Sequence, residues 1–343
     1  MNEQTKELLI SLIKLLREGN LPPWRQPWTD SEQYIMVGGV EYPTNRWPSN
    51  IRAPAVPYGV VNGILLRLVA QREGYKSNFW IDKEVVDDLK ATLCENAKPI
   101  DLISFHLNSE PSEDSKLWEY NRRVYNIEQI KDPEKNLGFT WSSSLTHRNL
   151  PALRHYKKSE NMLEKLKKEG LQIKEGGNLA CYVPVHDVIN MPELHQFSNR
   201  DPKQGEALYW GTLWHEVVHW TGPPWRLNRW TEKIDKKRYA FEELIAELGA
   251  CLLCAHLKIK VDIRSASYVS KQLEDMRQNS VKGEEYLYNQ FADLLEGDLE
   301  ALIRAARDAE RAKKYVIDEA AGRNKRNKGK KTDKGKKTGK MVV

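Results

Sequence analysis

Residues 214–220 read WHEVVHW, and both the fold class and the chemistry of the chain turn on whether this stretch is a metal-binding helix. On an α-helix His215 and His219 lie four residues apart, so both imidazoles leave one face and can grip a single metal ion. Glu216 lies beside them, where a carboxylate can take a proton from a water activated by that metal. The same helix can bury Leu213, Val217 and Trp220 on its other faces, and Gly222 with Pro223-Pro224 stops it. With eight histidines in 343 residues, chance alone writes this five-residue pattern in about one or two chains per hundred. A third ligand nearby would make the accident much rarer.

The segment FEELIAELGA, 241–250, offers one: it sets Glu242, Glu243 and Glu247 into an otherwise apolar helix. Carboxylates in such a helix need partners, and a metal supplies one. Glu243 and Glu247 are four apart and share a face. Glu243 is expected to be the third ligand, and Glu247 the group that orients a ligand histidine through its free ring N–H. The swapped assignment stays open, as does a metal-free reading with the two helices salt-bridged through Arg226 or Arg229. Zn²⁺ suits the pattern, with Mn²⁺ or another divalent ion as alternatives. His106, His147, His155, His186, His195 and His256 have no ligand spacing to one another and read as surface or satisfied groups. Of these, His186 and His195 precede the metal helix and could line its cleft.

A chain of 343 residues, 40% hydrophobic, is long enough for two domains with packed cores. No stretch approaches the roughly 20 apolar residues of a membrane helix. The N-terminal MNEQTKELLISLIKLLREGN intersperses charges at helical spacing and reads as an amphipathic helix over 5–17 rather than a signal peptide. Four cysteines are no disulfide framework, and Cys251 and Cys254, in CLLC, read as core thiols rather than a redox or metal pair. A reducing cytoplasm is the expected compartment. The formal charge of +6 is unevenly placed. Residues 323–343 carry ten basic groups and one acidic, leaving 44 basic against 47 acidic in the rest. Such a Lys-rich tail is expected to be disordered and to add salt-sensitive affinity for nucleic acid, or merely to aid solubility.

The remaining pattern predicts an α+β protein. A helix is expected over GVVNGILLRLVAQREGY, strands over LISFHLN and RRVYNIEQI, and a turn-rich linker over 131–150. Beyond it come the helix SENMLEKLKKEG, strands in LQIKEG and ACYVPVHDVINMP, the two metal-site helices, and two more near 267–278 and 299–320. In the first 80 residues Trp24, Trp28, Trp47, Tyr58, Tyr75 and Trp80 interleave with Arg25, Arg46, Arg52, Arg67, Arg72 and Lys76. Bases stack on aromatic rings while cations follow the backbone, so single-stranded DNA is a candidate ligand. The excess of nine basic over seven acidic residues there is small. Packing of a small core by the Pro-Trp clusters is the competing reading.

These residues resemble a known family. LIKLLREGNLPPWRQPW, PYGVVNGILLRLVAQREGYKSNFWI and VYNIEQI look like the N-terminal single-stranded-DNA-binding domain of the ArdC antirestriction proteins, also found in TraC-type primases. GLQIKEGGNLACYVPVHDVINMPELHQF, TLWHEVVHWTGPPWRLNR, YAFEELIAELGACLL and SASYVSKQLE look like that family's zincin-like metallopeptidase domain. The resemblance implies a DNA-binding domain over 1–130, a linker over 131–150, a metallopeptidase domain over 151–322 and a tail over 323–343. It implies metal ligation by His215, His219 and Glu243, with Glu216 as base. It also implies a DNA face built from Trp24, Arg25, Trp28, Tyr58, Asn62, Arg67, Arg72, Tyr75, Lys76 and Trp80. The protein would then escort incoming plasmid or phage DNA past host restriction and act on a protein substrate or restriction component, with no membrane partner. Other readings are a DNA-dependent protease for DNA–protein crosslinks, a non-catalytic coating protein with a structural metal, and a primase-associated module. RQNSVKGEEYLYNQFADLLEGD, 277–298, looks longer than the family's usual joint between its last helices, and the tail is an addition.

Overall fold

Helix α1 (Glu3–Arg17) forms where apolar spacing demands it. Asn2 caps it by accepting from the Thr5 amide at 2.9 Å, and Leu8, Leu9, Leu12, Ile13 and Leu16 are buried on one stripe. The structure, a computed structural model, describes residues 1–20, 22–24, 34–44, 47–107, 117–142, 153–197, 202–230, 235–257, 259 and 274–324. Strands β1 (Tyr34–Val37) and β2 (Val40–Pro43) form a tight hairpin. Its two-residue turn, Gly38-Gly39, needs positive φ at both positions (57° and 77°), which glycine adopts without strain. β3 (Ser49–Asn50) precedes α2 (Val60–Glu73), a helix buried on most of its circumference and ended by Gly74 in the left-handed region. Gly63 of α2 lies under Trp47, where an added Cβ would come within 2.1 Å of the indole.

β4 (Phe79–Asp82), α3 (Lys83–Asp88), β5 (Ile100–Phe105) and β6 (Trp118–Asn126) follow, giving a four-stranded sheet in the order β3-β4-β6-β5. The short α4 (Pro133–Leu137) leads to β7 (Thr140–Ser142), which pairs antiparallel with β1. This corrects the linker expectation. Residues 133–142 complete the first unit's second sheet, ordered β2-β1-β7, and 143–152 lie outside the described residues. Strands β1, β2 and β3 are also unexpected from the sequence, because strands of two to four residues are too short to show alternation.

The second unit opens with α5 (Leu153–Lys168) and a three-stranded sheet of β8 (Gln172–Glu175), β9 (Cys181–Val183) and β10 (Val188–Met191). β10 is central, parallel to β8 and antiparallel to β9, so β9 is an edge strand. Then come α6 (Pro202–Trp220), α7 (Lys236–Leu257), α8 (Glu274–Gly297) and α9 (Ala301–Ala320). The stretch 277–297 read as a long joint is helical, the body of α8. The helix expected over 267–278 starts at Glu274 among the described residues and runs far beyond 278. No helix among the described residues is long and apolar enough to cross a membrane.

One continuous apolar core joins α1 and α2 to α6, α7, α8 and α9, and a smaller core lies around Phe79, Ile81 and Tyr125. At the edge of the large core Arg17 of α1 bridges to α8, reaching Asp293 at 2.5 Å and Glu296 at 2.8 Å. Helices α6 and α7 pack tightly where Gly249 meets Val218. A Cβ added at Gly249 would stand 2.7 Å from a Val218 methyl, nearer than real carbon contacts come. Gly249→Val is therefore expected to wedge the helices apart and cost about 1–3 kcal/mol of stability. Thermal unfolding would show this as a lowered Tm, and metal titration as a weakened site; an unchanged Tm would refute the tight crossing.

Candidate metal centre

The crossing of α6 and α7 brings His215 and His219 against Glu243. The two Nε2 atoms stand 3.1 Å apart, His215 Nε2 is 3.5 Å from one Glu243 oxygen, and His219 Nε2 is 3.6 Å from the other. Donor atoms from these three residues all lie within 4.8 Å of one another. Metal–nitrogen and metal–oxygen bonds of about 2.0–2.1 Å in tetrahedral array require ligand atoms roughly 3.3–3.4 Å apart. The observed separations bracket that value, so the three residues fit one small divalent ion and, among the described residues, supply three of its ligands.

Each imidazole is held from behind. His215 Nδ1 faces Glu247 at 3.6 Å, and Glu247 is buried. His219 Nδ1 faces Glu242 at 3.4 Å. Glu242 is in turn gripped by Arg229, whose guanidinium reaches both its oxygens at 2.7 and 3.1 Å and also donates to Thr221 Oγ1 and the Val218 carbonyl. Arg229 thus ties the C-terminal turn of α6 to α7. The role of Glu242 escaped the sequence reading. The signal was present, since Arg229 and Glu242 were both named, but spacing alone cannot say which of three glutamates the arginine takes. The metal-free alternative had the two helices salt-bridged through Arg226 or Arg229. Arg229 does bridge them through Glu242, leaving Glu243 to the two imidazoles, and Arg226 pairs with Asp187 at 2.6 Å while lying 3.9 Å over the Trp220 ring.

Glu216 is buried, and its Oε2 accepts from the backbone N–H of Tyr182 on the edge strand β9 at 2.8 Å. This bond fixes the carboxylate beside the histidines. The Tyr182 hydroxyl donates to Asp187 at 2.8 Å, so the β9–β10 hairpin is pinned to the loop after α6 through Arg226. Gly222 in that loop is covered by Trp230, whose indole would collide with any Cβ there at 2.0 Å. Tyr239, one turn before Glu243 on α7, stands 51% exposed.

Charge explains the site's protonation. Burial alone would lower the His215 pKa, but Glu243, Glu247 and Glu216 outweigh it and lift the imidazole to about 9. His219 is raised as well, with Glu242 and Glu243 overcoming burial. Burial would raise Glu243, yet the two imidazoles hold it down to about 2. Elsewhere His195 is exposed beside Glu193 at 3.0 Å and His186 is exposed on the β9–β10 hairpin, so neither joins the donor set. Cys251 and Cys254 are free and buried, and burial pushes the Cys251 thiol up to about 12.

Of the residues named for a DNA face, five are engaged inside the first unit. Trp24 and Trp80 are 2% and 0% exposed and belong to the core. Asn62 spends its amide on Ile103, accepting from its N–H at 2.8 Å and donating to its carbonyl at 2.9 Å. Burial raises the Tyr58 phenol, and it lowers the Arg67 guanidinium, 5.9 Å from the Trp47 ring, to about 10. These five therefore stabilise the first unit from within. Arg72 and Lys76 are exposed, Arg72 beside Glu73 at 2.8 Å, while Tyr75 is partly exposed with its ring edge on Trp80. Arg25 and Trp28 lie outside the described residues.

Comparison with known proteins identifies both halves. Residues 2–139 match the profile of the N-terminal domain of anti-restriction factor ArdC, and 158–282 match a zincin-like metallopeptidase. An uncharacterized protein, y4eC, of Sinorhizobium fredii is 25% identical over 79% of this chain and 84% of its own length. A DNA primase TraC of Escherichia coli is 24% identical over 92% of this chain, which spans only 27% of the primase. Crystal structures of the antirestriction protein ArdC from plasmid R388, Mn(II)-bound and metal-free, superpose with TM-scores of 0.58 and 0.60 at 24% identity. Both cover 94% of this chain and 99% of that one.

Because metal binding needs neutral imidazoles, an incoming ion must displace the proton that His215 holds up to about pH 9. Metal affinity is expected to rise by up to about tenfold per pH unit between pH 6.5 and 9. The metal-free protein is expected to behave oppositely. A raised folded-state pKa gives stability that is full below about pH 6.5 and lost as pH climbs through about 9. Calorimetric metal titrations and Tm measurements across this range check both signs; pH-independent affinity would contradict the charge arrangement. Glu242→Gln and Glu247→Gln are each expected to weaken metal binding about 10–100-fold, read in the same titration.

Proposed function

From the premise that the chain belongs to the ArdC antirestriction family, by its two domain matches, we propose that it is a DNA-binding metallopeptidase that protects incoming mobile DNA from host restriction. One observation carries the peptidase part. A three-donor set among the described residues has, beside it, a buried glutamate anchored by the Tyr182 amide. A purely structural metal would normally have four protein ligands and no use for Glu216.

In this reading His215, His219 and Glu243 hold the ion. Zn²⁺ is the ion the motif suggests, while the Mn(II)-bound structure of the R388 protein makes Mn²⁺ an equal candidate. When bound, the ion supplies a Lewis acid that lowers the pKa of water and polarises a peptide carbonyl. Glu216 takes the proton of the attacking water and returns it to the departing amine nitrogen. Glu242 and Glu247 keep the imidazoles in the tautomer that presents Nε2.

Single-stranded DNA is the proposed tether, bringing the peptidase to proteins on the same strand so that effective concentration substitutes for sequence specificity. Its support is the ArdC-type N-terminal domain. Arg72, Tyr75 and Lys76 are the candidates that remain accessible at the end of α2, and the basic residues of 325–343 would add a salt-sensitive contribution. The proposed substrate is a DNA-bound protein, whether a restriction component or a crosslinked protein, and the proposed compartment is the cytoplasm.

The test is cleavage of a DNA-bound protein by metal-loaded protein, with and without single-stranded DNA, beside Glu216→Ala. Cleavage that requires DNA and falls at least about a hundredfold in the variant, with one metal per chain retained, is the expected result. Undiminished cleavage by the variant would reject Glu216 as base. DNA and metal binding without cleavage under any condition would make the protein a shield built on a peptidase fold.

A further inference from the structure

Arg226 lies in the loop after α6, and its side chain is only 7% exposed. The guanidinium meets both oxygens of Asp187, at 2.8 and 2.6 Å, and donates to the Trp220 carbonyl at 3.0 Å. Asp187 holds the corner between β9 and β10 with φ at 50°, in the left-handed region that glycine enters with least strain. Contacts of the aspartate carboxylate offset that strain. It accepts from Arg226 and, at 2.8 Å, from the Tyr182 hydroxyl. A glycine at this corner would turn the chain but would make neither contact.

Tyr182 is also the residue whose backbone N–H donates to Glu216 at 2.8 Å. One tyrosine therefore joins the arginine to the carboxylate, with its hydroxyl tied to Asp187 and its amide to Glu216. The strand that carries it, β9, is three residues long and pairs, among the described residues, with β10 alone. So short an edge strand gains most from a side-chain anchor. A general base must stand within hydrogen-bond reach of the proton it takes, and a misplacement of about 1 Å can cost about a hundredfold in rate. Arg229 supplies no such anchor, because it grips Glu242 on α7.

We propose that Arg226 is a positioning residue for Glu216, acting through Asp187 and Tyr182 to set the edge strand β9 against the metal helix α6. The loop that leaves α6 returns through Arg226 to the β9–β10 hairpin, so helix, loop and strand close a ring around the carboxylate. Without the guanidinium the ring opens at Asp187, and Glu216 keeps its place on α6 but loses its fixed direction. The proposal rests on the peptidase reading, but its test reads ligand binding rather than turnover. A failure here is therefore separable from a failure to cleave.

The experiment uses the full chain loaded with Co²⁺, whose visible absorption reports its surroundings. The probe is acetohydroxamate, which chelates a divalent ion through two oxygens and gives up a proton that a neighbouring carboxylate can accept. Wild type, Arg226→Met, Glu216→Gln and the double variant are titrated first with Co²⁺ and then with acetohydroxamate. Arg226→Met is expected to weaken acetohydroxamate binding about tenfold or more while leaving Co²⁺ affinity within about twofold. Added to Glu216→Gln, it is expected to change nothing beyond about twofold, because the arginine acts through that carboxylate. Arg122→Met, which removes a similar fork on Asp82 in the first unit, is expected to match wild type. If Arg226→Met does not fold, Tyr182→Phe carries the test, since it removes one hydroxyl from the path and keeps the ring; a loss of about threefold or more is expected. Acetohydroxamate affinity equal to wild type in the variant tested overturns the proposal, as does absence of acetohydroxamate binding in wild type. Additive losses in the double variant also overturn it, making Arg226 a general brace, and so does a loss of Co²⁺ affinity in Arg226→Met.

Discussion

Four carboxylates, Glu216, Glu242, Glu243 and Glu247, are drawn largely out of water where α6 crosses α7, and that concentration of negative charge has to be answered. Arg229 answers one. The two histidines answer part of the rest by holding protons that imidazoles in water would release, and a divalent ion would answer it more fully. Much of the second unit follows from this balance. Arg229 knits the end of α6 to α7, Tyr182 lends Glu216 a backbone donor, and Gly249 removes the side chain that would keep the helices apart. A helix pair packed only for apolar burial would need none of these.

The pull of the centre reaches the first unit through packing. Helices α1 and α2 share one core with the metal helices, and α8 is bridged to α1 through Arg17. Two domains by sequence likeness are thus one body by burial. Trp24, Trp47 and Trp80 are buried in that shared core.

The legibility of the sequence followed the range of the forces involved. The helix pair and its histidines could be read because four-residue spacing is a local property, and the α+β class followed from periodicities of the same kind. The division of labour among Glu242, Glu243 and Glu247 could be narrowed but not completed, because it depends on where Arg229 folds back. Trp24 and Trp80, named for a DNA face, turned inward for a sharper reason. Tryptophan beside arginine is equally the composition of a stacking platform and of a core edged with cation–π contacts, and only burial separates them. Residues 133–142 looked like a linker because a three-residue strand such as β7 carries no alternation. Its identity comes from pairing with β1, a hundred residues earlier.

The shared core also bears on inheritance. A domain that finishes its own hydrophobic surface can be shuffled singly between genes, whereas halves that finish each other's must move together or arrive with an exposed apolar face. In this chain α1 lies against α8 and α2 against α7 and α9, so the natural cassette is the pair. Joining it to a longer protein at either end leaves that interface untouched, whereas recombination within 143–152 would split it. Genes exchanging parts would thus preserve the combination, coupling whatever the first half recognises to whatever the second half does.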